Sequence, residues 1–111
     1  MEISEKSEQG CLLMVLTGRL DGNSSPATQE RVLRVIERGD KKLLLDLAGV
    51  DYVNSAGLRI FMMAAKKIKV AGGKLALCGM TPNVRELFDI AGFLTLIPSY
   101  PSREEGFAAL Q

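Results

Sequence analysis

Leu43-Leu44-Leu45-Asp46-Leu47-Ala48-Gly49-Val50-Asp51-Tyr52-Val53-Asn54-Ser55-Ala56-Gly57-Leu58 is the stretch that decides how this chain folds. Its opening, Lys42 to Leu47, is an apolar run of strand length. After a short turn, an amphipathic run from Leu58 to Val70 follows. Gly57, Phe61, Ala64, Ala65 and Ile68 form one helical stripe there, and Gly72-Gly73 stops the helix. A strand that turns into a helix near Ser55 is the repeating unit of a parallel α/β sheet. Ser55 reads as the N-cap of that helix. A hydroxyl at that place also lies where backbone N–H groups are free and the helix dipole favours negative charge. Two readings therefore stand for Ser55: a cap only, or a site where phosphate is added and read.

On the N-terminal side, Glu2 to Glu8 is a weakly patterned edge strand and Gln9-Gly10 a tight turn. Cys11 to Gly18 is a second strand, apolar enough to be buried on both faces. Arg19 to Ser25 is a loop holding Asp21, Gly22 and Asn23. Ser25-Pro26 then supplies an N-cap and a first helical residue, and Thr28, Val32, Val35 and Ile36 share one face up to Gly39. On the C-terminal side, Lys74 to Cys78 is a fourth strand. Thr81-Pro82 repeats the cap-plus-proline signal, with Val84, Leu87, Phe88 and Ala91 marking a helix closed by Gly92. Leu94 to Ile97 reads as a fifth strand. Ser102 and Glu105 read as a capping box for a last helix containing Phe107, Ala108 and Leu110.

The order β-β-α-β-α-β-α-β-α predicts an α/β fold: a mixed sheet of about five strands, an N-terminal antiparallel hairpin and about four helices. Without repeat or linker, residues 1–111 read as one domain. Right-handed crossovers bring the Asp21 loop, the Ser55 turn and the Met80-Thr81 turn to one edge of the sheet.

The composition excludes several chemistries. Histidine is absent, which removes Ser-His-Asp and Cys-His catalysis and imidazole metal sites. Cys11 and Cys78 match no metal or redox spacing and read as small buried hydrophobes in a reducing compartment. Asp46, Asp51 and Asp89 form no metal site by spacing and are expected in solvated or capping roles. Gly72-Gly73 lacks the spacing of a phosphate cradle, so no cofactor is expected. An aspartate-phosphorylated receiver needs an early acidic pair that this chain lacks. With 14 Lys+Arg against 13 Asp+Glu, net +1, there is no footprint for nucleic acid. Lys66, Lys67 and Lys69 read as compensation of the helix dipole. No apolar run reaches the roughly 18 residues of a membrane span, and the polar Met1 to Gly10 is no signal peptide, so no membrane insertion is expected and the cytoplasm is the expected compartment. No nucleophile–base pair is visible, so the chain reads as a non-enzyme.

Five blocks carry a resemblance: Leu16 to Asp21, Leu45 to Leu47, Val53 to Leu58, Gly72 to Leu75, and Val84 to Gly92. In this order, over nearly the whole chain, they resemble the STAS domain and, within it, the bacterial anti-sigma factor antagonists. The resemblance implies a STAS-like sheet. It also implies a partner, an anti-sigma factor with serine kinase activity, that binds the unphosphorylated chain and so frees a sigma factor. Phosphorylation switches that binding off, and a phosphatase is a further implied partner. By the same resemblance, Ser55 in Asn54-Ser55-Ala56-Gly57-Leu58 takes the phosphoacceptor place. Asp21 takes the place of a loop aspartate near the partner surface; Asn23, Asn54, Leu58 and Arg59 complete the partner-binding set. On the residues alone, Asp21 reads equally as a turn residue. Asn54 stands where the family has aspartate, keeping size and oxygen but not charge. Ala56 stands where the family has a second hydroxyl, leaving Ser55 as sole acceptor. These two departures motivate an alternative: the same fold without the switch, as a scaffold or a subunit of a lipid-transport or stress-sensing assembly.

Overall fold

The computed structural model describes residues 1–111. Its elements are β1 (Glu2–Glu8), β2 (Cys11–Leu20), α1 (Ser25–Glu37), β3 (Lys42–Val53), α2 (Ser55–Val70), β4 (Lys74–Cys78), α3 (Pro82–Ile90), a 3-10 turn at Phe93–Thr95, β5 (Ser99–Tyr100) and α4 (Arg103–Leu110). One sheet holds all five strands in sequential order; β1 pairs antiparallel with β2, and every other pairing is parallel. The expected mixed α/β architecture is therefore observed.

Because each crossover advances in the same direction, right-handedness places α1, α2 and α3 on a single face of the sheet. That face holds the main core: Leu12, Met14 and Leu16 of β2, Leu43, Leu45 and Leu47 of β3, and Leu75 and Leu77 of β4 meet Val32, Phe61 and Phe88 of the helices. Phe61 and Phe88 lie 5.2 Å apart by ring centroid. The opposite face is covered in part by α4, whose Phe107 and Leu110 close over Cys11, Leu13, Leu44, Ala76 and Cys78. β2 is thus buried on both faces, and both cysteines are buried and free. In α3, Val84 and Phe88 face the core, while Leu87 and Ala91 are exposed.

β2 runs past the expected Gly18 to Leu20, and three further boundaries differ from expectation. β3 continues past Leu47 to Val53, because the β2–β3 ladder is irregular between Val15 and Thr17 and again between Gly18 and Arg19. Each irregularity adds a residue to β3 and breaks the period of two that marks a strand. The strand expected at Leu94–Ile97 is instead a turn. The amides of Leu96 and Ile97 both donate to the Phe93 carbonyl, Leu96 is 59% exposed, and the pairing falls on Ser99 and Tyr100. Phe93 is held by an edge contact with Phe88, so the apolar run folds back onto α3 and does not extend along β4. The third difference is at α1. Ser24, not Ser25, is its N-cap residue, and the Ser24 hydroxyl donates to the Arg19 carbonyl at 2.7 Å without capping the helix by a side-chain bond.

Candidate functional site

The Ser55 turn is built by its neighbours. Asn54 has extended backbone angles, φ −102° and ψ −174°, and its Oδ1 accepts the Gly57 amide at 3.1 Å. Asn54 is therefore the N-cap of α2, which corrects the expectation that Ser55 fills that role. Ser55 is the first residue of the helix and is exposed. The physical reason lies in order: of two adjacent residues able to cap, the one in extended conformation meets the N–H three positions on. The Ser55 hydroxyl takes no part in the cap.

Gly57 makes this placement achievable. A Cβ there would stand 2.8 Å from Leu20 and 2.9 Å from Val53, so the first turn of α2 lies directly on the ends of β2 and β3. Leu58, partly buried, continues that packing into the main core, whereas Arg59 is exposed.

The Asp21 loop meets the Ser55 turn through the backbone: the Asn54 amide donates to the Leu20 carbonyl at 3.1 Å. Within the loop, Asp21 Oδ1 accepts the amides of Asn23 at 3.0 Å and Ser24 at 3.2 Å. These bonds, Ser24 first and then Asn23, hold the Asp21 carboxyl below its ordinary range. Asp21 is thus a turn-forming residue, and exposed Asn23 is positioned by it. Arg59 lines a groove with Gly22, Pro26, Gln29, Leu33 and Ala56, running between the starts of α1 and α2. Asp21, Asn23, Asn54, Ser55, Leu58 and Arg59 come from two connections that converge on one end of the sheet. The Thr81 turn belongs to the same edge but at a lower level: the last β3–β4 pair is Asp46 with Cys78, and β3 runs on from there to Val53. There Thr81 caps α3 as expected, accepting the Val84 amide.

Two residues of this end escaped the reading of the sequence. Arg19 and Tyr52 are paired across β2 and β3, with the guanidinium 4.3 Å from the ring centroid. Arg19 Nε also lies 3.9 Å from Asp21. The signal was present in the block Leu16 to Asp21, but cross-strand pairing with Tyr52 appears only once the bulged register is known.

Asp46 corrects a further expectation. It is neither solvated nor a helix cap: it is 5% exposed, accepts the Ala48 amide at 2.9 Å and receives Arg103 Nε at 2.6 Å. This pair ties β3 to the start of α4 and raises the Arg103 pKa. No cluster of three or more acidic or cysteine side chains able to hold a metal is present, and no helix is long and apolar enough to cross a membrane.

The model of the STAS domain matches residues 2–106. The chain belongs to the STAS domain family. Among curated STAS relatives, BtrV of Bordetella bronchiseptica, provisionally named an anti-sigma factor antagonist, is 33% identical over 111 residues, covering 100% of this chain and 96% of that one. The anti-sigma F factor antagonist of Paenibacillus polymyxa is 26% identical over 112 residues, again with 100% and 96% coverage. Among solved structures, the Bacillus cell fate determinant SpoIIAA in its phosphorylated form shares the fold, with a TM-score of 0.75 at 14% identity, covering 99% of this chain and 100% of that one. The STAS sheet thus presents exposed Ser55 at its rim, on a first helical turn that packs on the ends of β2 and β3.

Proposed function

We propose that this chain is an anti-sigma factor antagonist: a cytoplasmic binding protein, not an enzyme, that occupies an anti-sigma factor and is released from it when Ser55 is phosphorylated. The observation that carries the reading is the division of labour at the start of α2. Asn54 caps the helix, so the exposed Ser55 hydroxyl is free for chemistry without loss of the fold. The names of the relatives point to the same partner class.

In the proposed step, Ser55 Oγ attacks the γ-phosphorus of ATP held by the partner's kinase site. The Oγ–P bond forms, the bond from the γ-phosphorus to the β–γ bridging oxygen breaks, ADP leaves with that oxygen, and the hydroxyl proton passes to water. The product carries about −1.5 to −2 charge. At a helix start that charge is tolerated locally, since free N–H groups face it. In a packed interface the same group brings desolvation cost and repulsion from partner acids. The switch therefore blocks a surface and leaves the domain folded. A phosphatase would restore binding by hydrolysing the ester.

The experiment is incubation with the anti-sigma factor kinase and ATP, followed by mass spectrometry and binding measurements. Modification confined to Ser55, with binding lost in the phosphorylated chain and in Ser55→Asp but kept in Ser55→Ala, is expected. An unmodified Ser55 together with unchanged affinity of Ser55→Asp would overturn the switch and leave the constitutive scaffold as the reading.

A further inference from the structure

The solvent face of α2 carries a pattern that the Ser55 turn does not use. Arg59, Met62, Met63, Lys66, Lys67 and Val70 recur at helical spacing and line one groove of about 490 Å³. Val70 is 90% exposed, although it is a large apolar residue. The helix contains four cations, Arg59, Lys66, Lys67 and Lys69, and no acid, in a chain whose net charge is only +1. None of the four is used by any ion pair of the chain. Dipole compensation accounts for Lys67 and Lys69, which lie in the last turn. It does not account for Arg59, nearer the positive end of the helix, or for Lys66, which precedes the last turn.

We infer that this face is a docking surface for an acidic amphipathic helix of the anti-sigma factor. The inference rests on the function proposed above for the identity of the partner. Unpaired cations flanking the exposed Val70 and the half-buried Met62 and Met63 are complementary to a helix with apolar and acidic rows. Methionine is unbranched and polarizable, so half-buried Met62 adapts to a partner's ridges, while Met63 also packs against the main core. A membrane surface fits less well: the face exposes none of the Trp or Phe that bury into a lipid interface. Arg59 lines both this groove and the one beside Ala56, so the surface is continuous with the Ser55 end. The partner is then held at two places. The phosphate governs one, and α2 supplies a salt-sensitive second.

The test measures affinity of the full chain for its anti-sigma factor at several salt concentrations, for wild type, the double variant Lys66→Glu/Lys67→Glu, and Val70→Asp. All three side chains are exposed, so melting curves stay unchanged. Affinity is expected to fall about 10- to 100-fold in the double variant, with loss of most of the salt dependence, and to fall in Val70→Asp as well. A wild-type complex whose affinity ignores all three substitutions overturns the docking face alone. Absence of any wild-type complex overturns the proposed function, and the docking face with it. Binding to phosphatidylglycerol vesicles that the double variant abolishes, with partner affinity intact, also overturns the inference by assigning the face to lipid.

Discussion

The Gly57 amide donates to Asn54 Oδ1 at 3.1 Å, across the residue that the family resemblance marks for phosphorylation. Capping strength and phosphoacceptor thereby reside in different side chains, and mutation can separate them. Asn54→Ala removes the cap and is expected to cost about 1 kcal/mol in urea unfolding, whereas Asn54→Asp preserves an acceptor and stays near wild type. Ser55→Ala, at an exposed position outside the cap, is expected to change stability by less than about 0.5 kcal/mol. A loss in Ser55→Ala as large as that in Asn54→Ala would show that the hydroxyl does cap the helix.

Glu5 gives the fold a specific acid sensitivity. Its carboxylate on β1 receives Arg31 and Arg38 of the α1 segment, each at 2.9 Å, and tethers the edge strand to the helix layer. The Arg31 hydrogen bond is the largest cause of a carboxyl pKa held below its ordinary 4.5, with Arg38 adding to it. A depressed pKa means that the unfolded chain binds the proton first. The stabilisation is therefore fully present above about pH 4.5 and is lost as pH falls through the lower folded value. Glu5→Gln is expected to lower stability by about 1 kcal/mol at pH 7 and to approach wild type at an acid pH below the folded value. Denaturation series at both pH values check this; a constant difference would show that the charge is not what matters.

What the sequence made legible was local. Thr81 and Ser102 were readable as caps because each side-chain oxygen accepts the N–H three residues on within a single turn. Asn54-Ser55 was not resolved, since both members can cap and only backbone angles decide; Ser24-Ser25 was not, because the Ser24 hydroxyl turns to the Arg19 carbonyl and no side chain caps α1. The run from Leu94 to Ile97 has strand composition, yet Phe93 turns toward Phe88, a contact that no periodicity carries. Arg103 lies 57 residues from Asp46, so nothing near the aspartate announced its burial. At the site, Asp21, Asn54 and Ser55 were legible through motif order. Arg19 against Tyr52 was not, because two irregularities in the ladder set that register.

Buried thiols follow from the same packing. Cys78 lies beneath α4, and burial, with the neighbouring Asp46 charge adding to it, pushes its thiol up to about 12. A thiol so placed is protonated and shielded at pH 8. Dithionitrobenzoate is expected to leave both cysteines unmodified in the folded chain and to label both in urea. Rapid labelling of Cys78 at pH 8 without denaturant would indicate that α4 opens readily.

The Asp46–Arg103 pair decides whether α4 stays docked. Asp46 is nearly inaccessible and its Oδ2 faces Arg103 Nε at 2.6 Å, while the Arg103 side chain remains 47% exposed. Removing the cation leaves a buried carboxylate whose other oxygen keeps only the Ala48 amide. Arg103→Met is therefore expected to cost roughly 2–3 kcal/mol, below the range for fully buried pairs because water still reaches the arginine. Asp46→Asn retains the Ala48 bond and abolishes the charge, so it should cost less. The double variant should recover part of the Arg103→Met loss, because no uncompensated charge then remains under α4. A double-mutant cycle in urea measures the coupling directly. Additive costs, with no recovery in the double variant, would place the stability of α4 in Phe107 and Leu110 alone and assign the ion pair no part in it.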